Sequence, residues 1–238
     1  MKMELKNIIF EDFDTSKIPS MGKKLNSIFR YNEDINKTSY LNWRTGFART
    51  TRSQFVIIGE AFFSTAYNLL QQCLVDNSDK KADSWIFPIM FNIVHGIEVY
   101  LKAINVALSV VLKKNRGVSE GGHDLKALCS TARNLIIKYK QTNKNITTSQ
   151  MFEGIKVVEK FISNIYEKTD DMTFARYPLS KNKQGHFYIE KFENEVIDLQ
   201  LLREQTVYVF KILDFIYQMP ELDLEILADS MEEMMDSY

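Results

Sequence analysis

WIFPIMFNIVHGIEVYLKAINVALSVVLKK, residues 85–114, is the longest apolar-periodic stretch of the chain and decides its fold class. Ile86, Ile89, Met90, Ile93, Val94, Ile97, Leu101, Ile104, Leu108 and Val111 recur at helical spacing and fall on one side. At about 100° per residue, His95, Glu98 and Lys102 lie within roughly 60° of one another on another side. A wide apolar face with a narrow polar stripe predicts the central helix of an all-helical domain. Pro88 is expected in its first turn, where the missing N–H matters least, with Ser84 or Asp83 as cap. Glu98 and Lys102 form an i, i+4 pair in the favourable order. That pair is either an ordinary solvated helix pair or the edge of a site, where partial burial shifts the Glu98 pKa. Gly96 is costly inside a helix and points to close helix packing beside His95, or to mere tolerance. Asn92, His95, Glu98 and Lys102 interrupt the run near its middle, which predicts a core helix rather than a membrane span.

On either side of this helix the chain alternates amphipathic runs with polar links. Residues 53–76 read as a first long helix with Ser53 as cap, joined to the central one by NSDKKADS. A link that short predicts antiparallel neighbours. A glycine-containing loop, 115–122, follows the central helix. The next helix begins at His123-Asp124, with Asp124 placed to cap it. TNKNITTSQ is expected as a loop, and 151–168 as a further helix. HFYIEKF, after Pro178 and Gly185, has the look of a short strand. Residues 193–219 return to a long helix that Pro220 should end, leaving an acidic, methionine-bearing helix to dock on the bundle or to serve a partner. The expected organisation is an arm over 1–52, a bundle over 53–219 and the acidic helix over 220–238. In the arm, IIFEDF is a short strand or a helical turn. Its Arg30, Arg44, Arg49 and Arg52 alternate with Tyr31, Tyr40, Trp43 and Phe47. That interleaving suits base stacking or packing of the arm over the bundle.

Composition narrows the function classes. Thirty basic residues stand against 31 acidic ones, a net of −1, so nucleic-acid binding would need a local basic patch. Nine Gly and four Pro are few, which favours helices over a many-stranded sheet. Cys73 and Cys129 lie in apolar helical patterns and read as buried free thiols with no metal spacing. The acidic N-terminus has no apolar leader core, so a cytoplasmic location is expected. No zinc-protease, P-loop or dinucleotide-binding signature is present, and no metal or cofactor is expected.

Three segments in order carry a resemblance: HGIEVYLKAI (95–104), GHDLKAL (122–128) and FARYP (174–178). Together they resemble the HEPN superfamily of helical domains, in the bacterial branch with HGxExxLKA followed by a GHDL turn. The resemblance covers about residues 53–218. It implies an all-α, up-and-down helical bundle, often homodimeric, in proteins tied to RNA cleavage, toxin–antitoxin pairs or phage defence. RNA or a nucleotide, and a partner protein encoded nearby, are the implied partners. Catalytic members are metal-independent ribonucleases in which four to six residues stand between Arg and His. Here six residues stand between Arg116 and His123, although in a glycine-bearing loop rather than along a helix. By that resemblance His123 is acid or base, Arg116 and Glu98 complete a catalytic group, and Lys102, Arg176 and Tyr177 bind phosphate or substrate. The alternatives stay open: His123 as a helix-start residue bonded to a neighbouring helix, Arg176 as a pin on Glu98 or Asp124, and the whole chain as a non-catalytic binding or dimerisation module.

Overall fold

A computed structural model describes residues 27–41, 50–113, 122–143, 146–180, 182–190 and 195–236. The chain divides into two compact units, Met1–Phe47 and Ala48–Tyr238. Within the first, a 3-10 turn at Ile35–Lys37 is capped by the Asp34 side chain, which accepts from the Asn36 N–H. IIFEDF, Arg44, Arg49, Trp43 and Phe47 lie outside the described residues.

The second unit is an all-α helical bundle. Its elements are α1 (Thr51–Val75), α2 (Ala82–Val111), α3 (Leu125–Thr142), α4 (Ile146–Tyr166), a 3-10 turn (Met172–Ala175), the single turn α5 (Phe187–Glu190) and α6 (Leu199–Asp236). The central stretch is the hub: α2 packs against α1, α3, α6 and the 3-10 turn. Ile89, Ile93, Ile97, Leu101, Ile104 and Leu108 are fully buried, as the periodicity requires. By length and composition α2 could cross a membrane, but 78% of its most apolar window is buried inside the protein. It is a core helix.

Contacts along α1 and α2 run in opposite senses, which makes the two helices antiparallel. Gly59 meets Tyr100, Phe63 meets Gly96, and Phe62 meets Phe91 and His95. Gly59 and Gly96 allow the close approach. A Cβ on Gly59 would lie 2.6 Å from Tyr100 Cδ2, and one on Gly96 3.0 Å from Phe63 Cδ2. Close packing, not tolerance, explains Gly96.

Several boundaries differ from expectation. Thr50 caps α1 and Ser53 completes a capping box as the third residue, so Ser53 is not the cap. α2 starts at Ala82; Asp83 and Ser84 are inside it, and the Asn77 Oδ1 accepts from the Ala82 N–H at 3.0 Å. Pro88 is therefore inside the helix, past its first turn. α4 begins within the expected loop, at Ile146. Within HFYIEKF, Phe187–Glu190 form the turn α5 rather than a strand; among the described residues an isolated bridge, Leu179–Gly185, is the β pairing nearby, and a lone strand has no partner. Pro220 does not end α6. The following turn is tethered by an ion pair from Arg52 on α1 to Glu221. On the α3 side, the Tyr139 hydroxyl donates to Asp223 Oδ2 at 2.5 Å. These contacts keep the chain on the helical path despite one lost N–H. The acidic segment is thus the distal part of α6, with Leu222, Ile226 and Met231 exposed. Arg52, one of the arginines considered for base stacking, is spent on Glu221. Cys73 and Cys129 are buried free thiols.

Candidate functional site

The hydrophilic stripe of α2 meets the start of α3. Glu98 is 7% exposed, an unusual place for a carboxylate unless it is well paired. Lys102 Nζ donates to Glu98 Oε1 at 2.7 Å, and His123 Nδ1 lies 2.7 Å from the same oxygen. His95 Nδ1 lies 3.5 Å from Oε2. Burial pushes the Glu98 carboxyl up. Hydrogen bonds from His95, Lys102 and His123 outweigh it and hold the pKa at about 2. At neutral pH the carboxylate can only accept, so the His123 proton sits on Nδ1. The rest of that ring is open to solvent, with the side chain 83% exposed.

Local sequence explains the placement. Gly122 has φ +55, a left-handed conformation that a side chain rarely tolerates, and it turns the chain into α3. Asp124 caps α3, accepting from the N–H groups of Lys126 and Ala127. The Tyr166 hydroxyl also donates to Asp124, at 3.4 Å. One turn beyond Lys102 the buried Asn105 amide donates to the Leu128 carbonyl at 3.1 Å. The start of α3 is therefore held twice by α2, and His123 is delivered to Glu98 by backbone geometry rather than by chance rotamers.

On the other flank, His95 is packed by aromatic rings. Phe91 stacks on it with centroids 5.6 Å apart, and Phe62 meets it edge-on at 4.5 Å. The Arg176 guanidinium lies over the Phe91 ring at 5.7 Å and over Tyr177 at 5.6 Å. Arg176 pairs with neither Glu98 nor Asp124; it sits one ring away from the cluster, against aromatics. Tyr177 is exposed, and its carbonyl accepts from the Tyr188 hydroxyl at 3.3 Å.

Of the residues expected from the sequence, Glu98, Lys102 and His123 converge directly. Arg176 reaches the cluster through Phe91, and Tyr177 lies against Arg176. Arg116 lies outside the described residues. Sequence reasoning missed the roles of Phe91 and Asn105. Phe91 stands four residues before His95, on the same helical face, and Asn105 is a lone amide in an apolar run; both were readable signals. His95 and His123 each bond a different oxygen of Glu98, and among the described residues no group of three His, Cys, Asp or Glu side chains is arranged to hold a metal ion.

The arrangement is a carboxylate orienting two imidazoles, with one ammonium neutralising it. Such a set can take and give protons, and Lys102 and Arg176 add positive charge beside it. Comparison with protein-family models, curated proteins and solved structures finds no match to this chain.

Proposed function

We infer that this chain is a HEPN-like protein of a bacterial defence or toxin–antitoxin type system, cytoplasmic and acting on RNA as a metal-independent ribonuclease. The observation that supports it is the meeting of His95, Lys102 and His123 on the buried Glu98 carboxylate. In this reading the Nε2 of His123 takes the proton of a ribose 2′-hydroxyl. The 2′-oxygen attacks the adjacent phosphorus, and the 5′-oxygen leaves with a proton supplied by the second imidazole. Lys102 and Arg176 hold the phosphate, and Tyr177 offers a ring beside it. Glu98 keeps both rings oriented and stays ionised throughout. No cofactor enters the scheme.

One observation favours a second reading, a non-catalytic binding or dimerisation module. Glu98 Oε1 is already shared by Lys102 and His123, and the pair joins α2 to the start of α3 as a structural tie. Incubation of the purified chain with mixed RNA in EDTA separates the readings. Cleavage that His123→Ala abolishes, in a variant that melts as a folded protein, supports the nuclease. No cleavage at any protein concentration leaves the module. Cleavage that EDTA removes contradicts both. Sedimentation of the same preparation tests the homodimer that the resemblance implies.

A further inference from the structure

A cavity of about 330 Å³ opens beside the first turns of α2. It is on a different side of that helix from the Glu98 cluster. At about 100° per residue, Asp83, Ile86, Phe87 and Met90 group together roughly a quarter-turn from Phe91, His95, Glu98 and Lys102. Five aromatic side chains contribute to the walls: Phe87, Phe161, Phe174, Phe187 and Tyr188. They come from four separate pieces of the chain, and four of them, all but Phe161, brace one another. Phe87 and Tyr188 are 5.2 Å apart, Phe187 and Tyr188 5.4 Å, and Phe174 and Phe187 5.7 Å. The Tyr188 hydroxyl is spent on the Phe174 carbonyl at 3.0 Å, so that ring is fixed. The concavity is thus built by packing and exists without a ligand.

Its polar side chains are Asp83, Asn164, Lys168, Thr169, Glu195 and Gln205, and Asp83 is open to water. Lys168 Nζ donates to Glu195 Oε2 at 2.8 Å, so those two charges satisfy each other at the lining. The side-chain amides of Asn164 and Gln205 also line it, and neither has a protein hydrogen-bond partner among the described residues. Both amides also border a neighbouring groove between α4 and α6.

We propose that this cavity binds a small, uncharged, ring-bearing apolar molecule whose one hydrogen-bonding group meets Asn164 and Gln205. Three features select that class. The volume is at the lower end of the range of small-molecule sites, and the lining is mostly apolar with a few convergent polar groups. An anion would set its charge against the negative faces of the rings, and any ion that paired with Glu195 or Lys168 would break their salt bridge, each of which is unfavourable. Water in such a space has few partners, so an apolar ring displaces weakly held solvent. The site is independent of the proposed nuclease chemistry, since none of its lining residues belongs to the Glu98 cluster.

The test is a fluorescence titration of the full chain with N-phenyl-1-naphthylamine, an uncharged aromatic amine whose emission rises in apolar surroundings. Saturable binding at one molecule per chain is expected. Ile86→Trp fills the space from α2 and Gln205→Trp from α6; each should weaken binding at least tenfold while the protein still melts cooperatively. If one variant fails to fold, the other decides. His123→Ala should bind the dye as the unaltered chain does, which keeps this outcome separate from any result on RNA. Non-saturable binding, or binding undiminished in the folded filled variants, overturns the proposal. So does a concentration-dependent dimer in sedimentation that the filled variants abolish, because a second copy would then be the occupant.

Discussion

Replacing Glu98 by Gln keeps the shape of the side chain and removes its charge. The carboxyl moves from its ordinary value of 4.5 to about 2 in the folded chain. At 1.36 kcal/mol per tenfold, that difference corresponds to about 3 kcal/mol of folding stability from the ionised form. Only 9% of the side chain is exposed, so solvent screening takes little away. Because the folded value is depressed, the contribution is complete above pH 4.5 and is lost as pH falls through about 2. Urea unfolding of both proteins, followed by circular dichroism across pH 7 to 2, reads it directly. At pH 7, Glu98→Gln should be less stable by about 3 kcal/mol, since Lys102 is left part-buried beside a neutral amide. The gap should shrink below pH 4.5 and nearly close at about pH 2, where the native carboxyl is also neutral. A gap below about 1 kcal/mol at pH 7, or one that stays constant down to pH 2, would refute the reasoning.

Four further outcomes follow from the packing. Gly59→Ala places a Cβ 2.6 Å from the fully buried Tyr100 ring and should cost about 1–3 kcal/mol by urea denaturation; an unchanged midpoint would contradict the close α1–α2 approach. Asp124→Ala removes the α3 cap and should lower stability by about 1 kcal/mol, visible as a lower Tm. Tyr139→Phe loses the 2.5 Å bond to Asp223 and should cost about 1–2 kcal/mol, with faster hydrogen exchange beyond Pro220 as its signature. Burial raises both thiols, Cys129 to about 12, so neither should react with Ellman's reagent at pH 8 until urea unfolds the chain.

The sequence was most legible where one periodicity governed a long run. The burial of α2, its antiparallel pairing with α1 and the role of Asp124 could all be read from spacing. Boundaries were less legible because they depend on partners distant in the chain. Pro220 looks like a terminator until Arg52 and Tyr139 are seen to hold the turn beyond it. The helix expected over 193–219 starts later than its first apolar residue: Val196 lies before α6 and is 85% exposed, since Asp198 starts the helix by accepting from the Leu201 N–H. The site was half visible. Glu98, Lys102 and His95 share a helical face by arithmetic, whereas the arrival of His123 depends on the backbone turn at Gly122. Arg176, read from the sequence as a phosphate ligand or as a pin on Glu98 or Asp124, lies on the rings of Phe91 and Tyr177, whose faces attract the guanidinium.

A single oxygen of Glu98 receives both a lysine and a histidine across two helices, and this has an evolutionary corollary. Selection for a folded chain acts on those three side chains whether or not any substrate is turned over. Their retention is expected on structural grounds alone, and the exposed Tyr177, which bonds to none of the three, is under no such constraint. Among relatives, survival of the glutamate therefore reports the fold and is no evidence of chemistry.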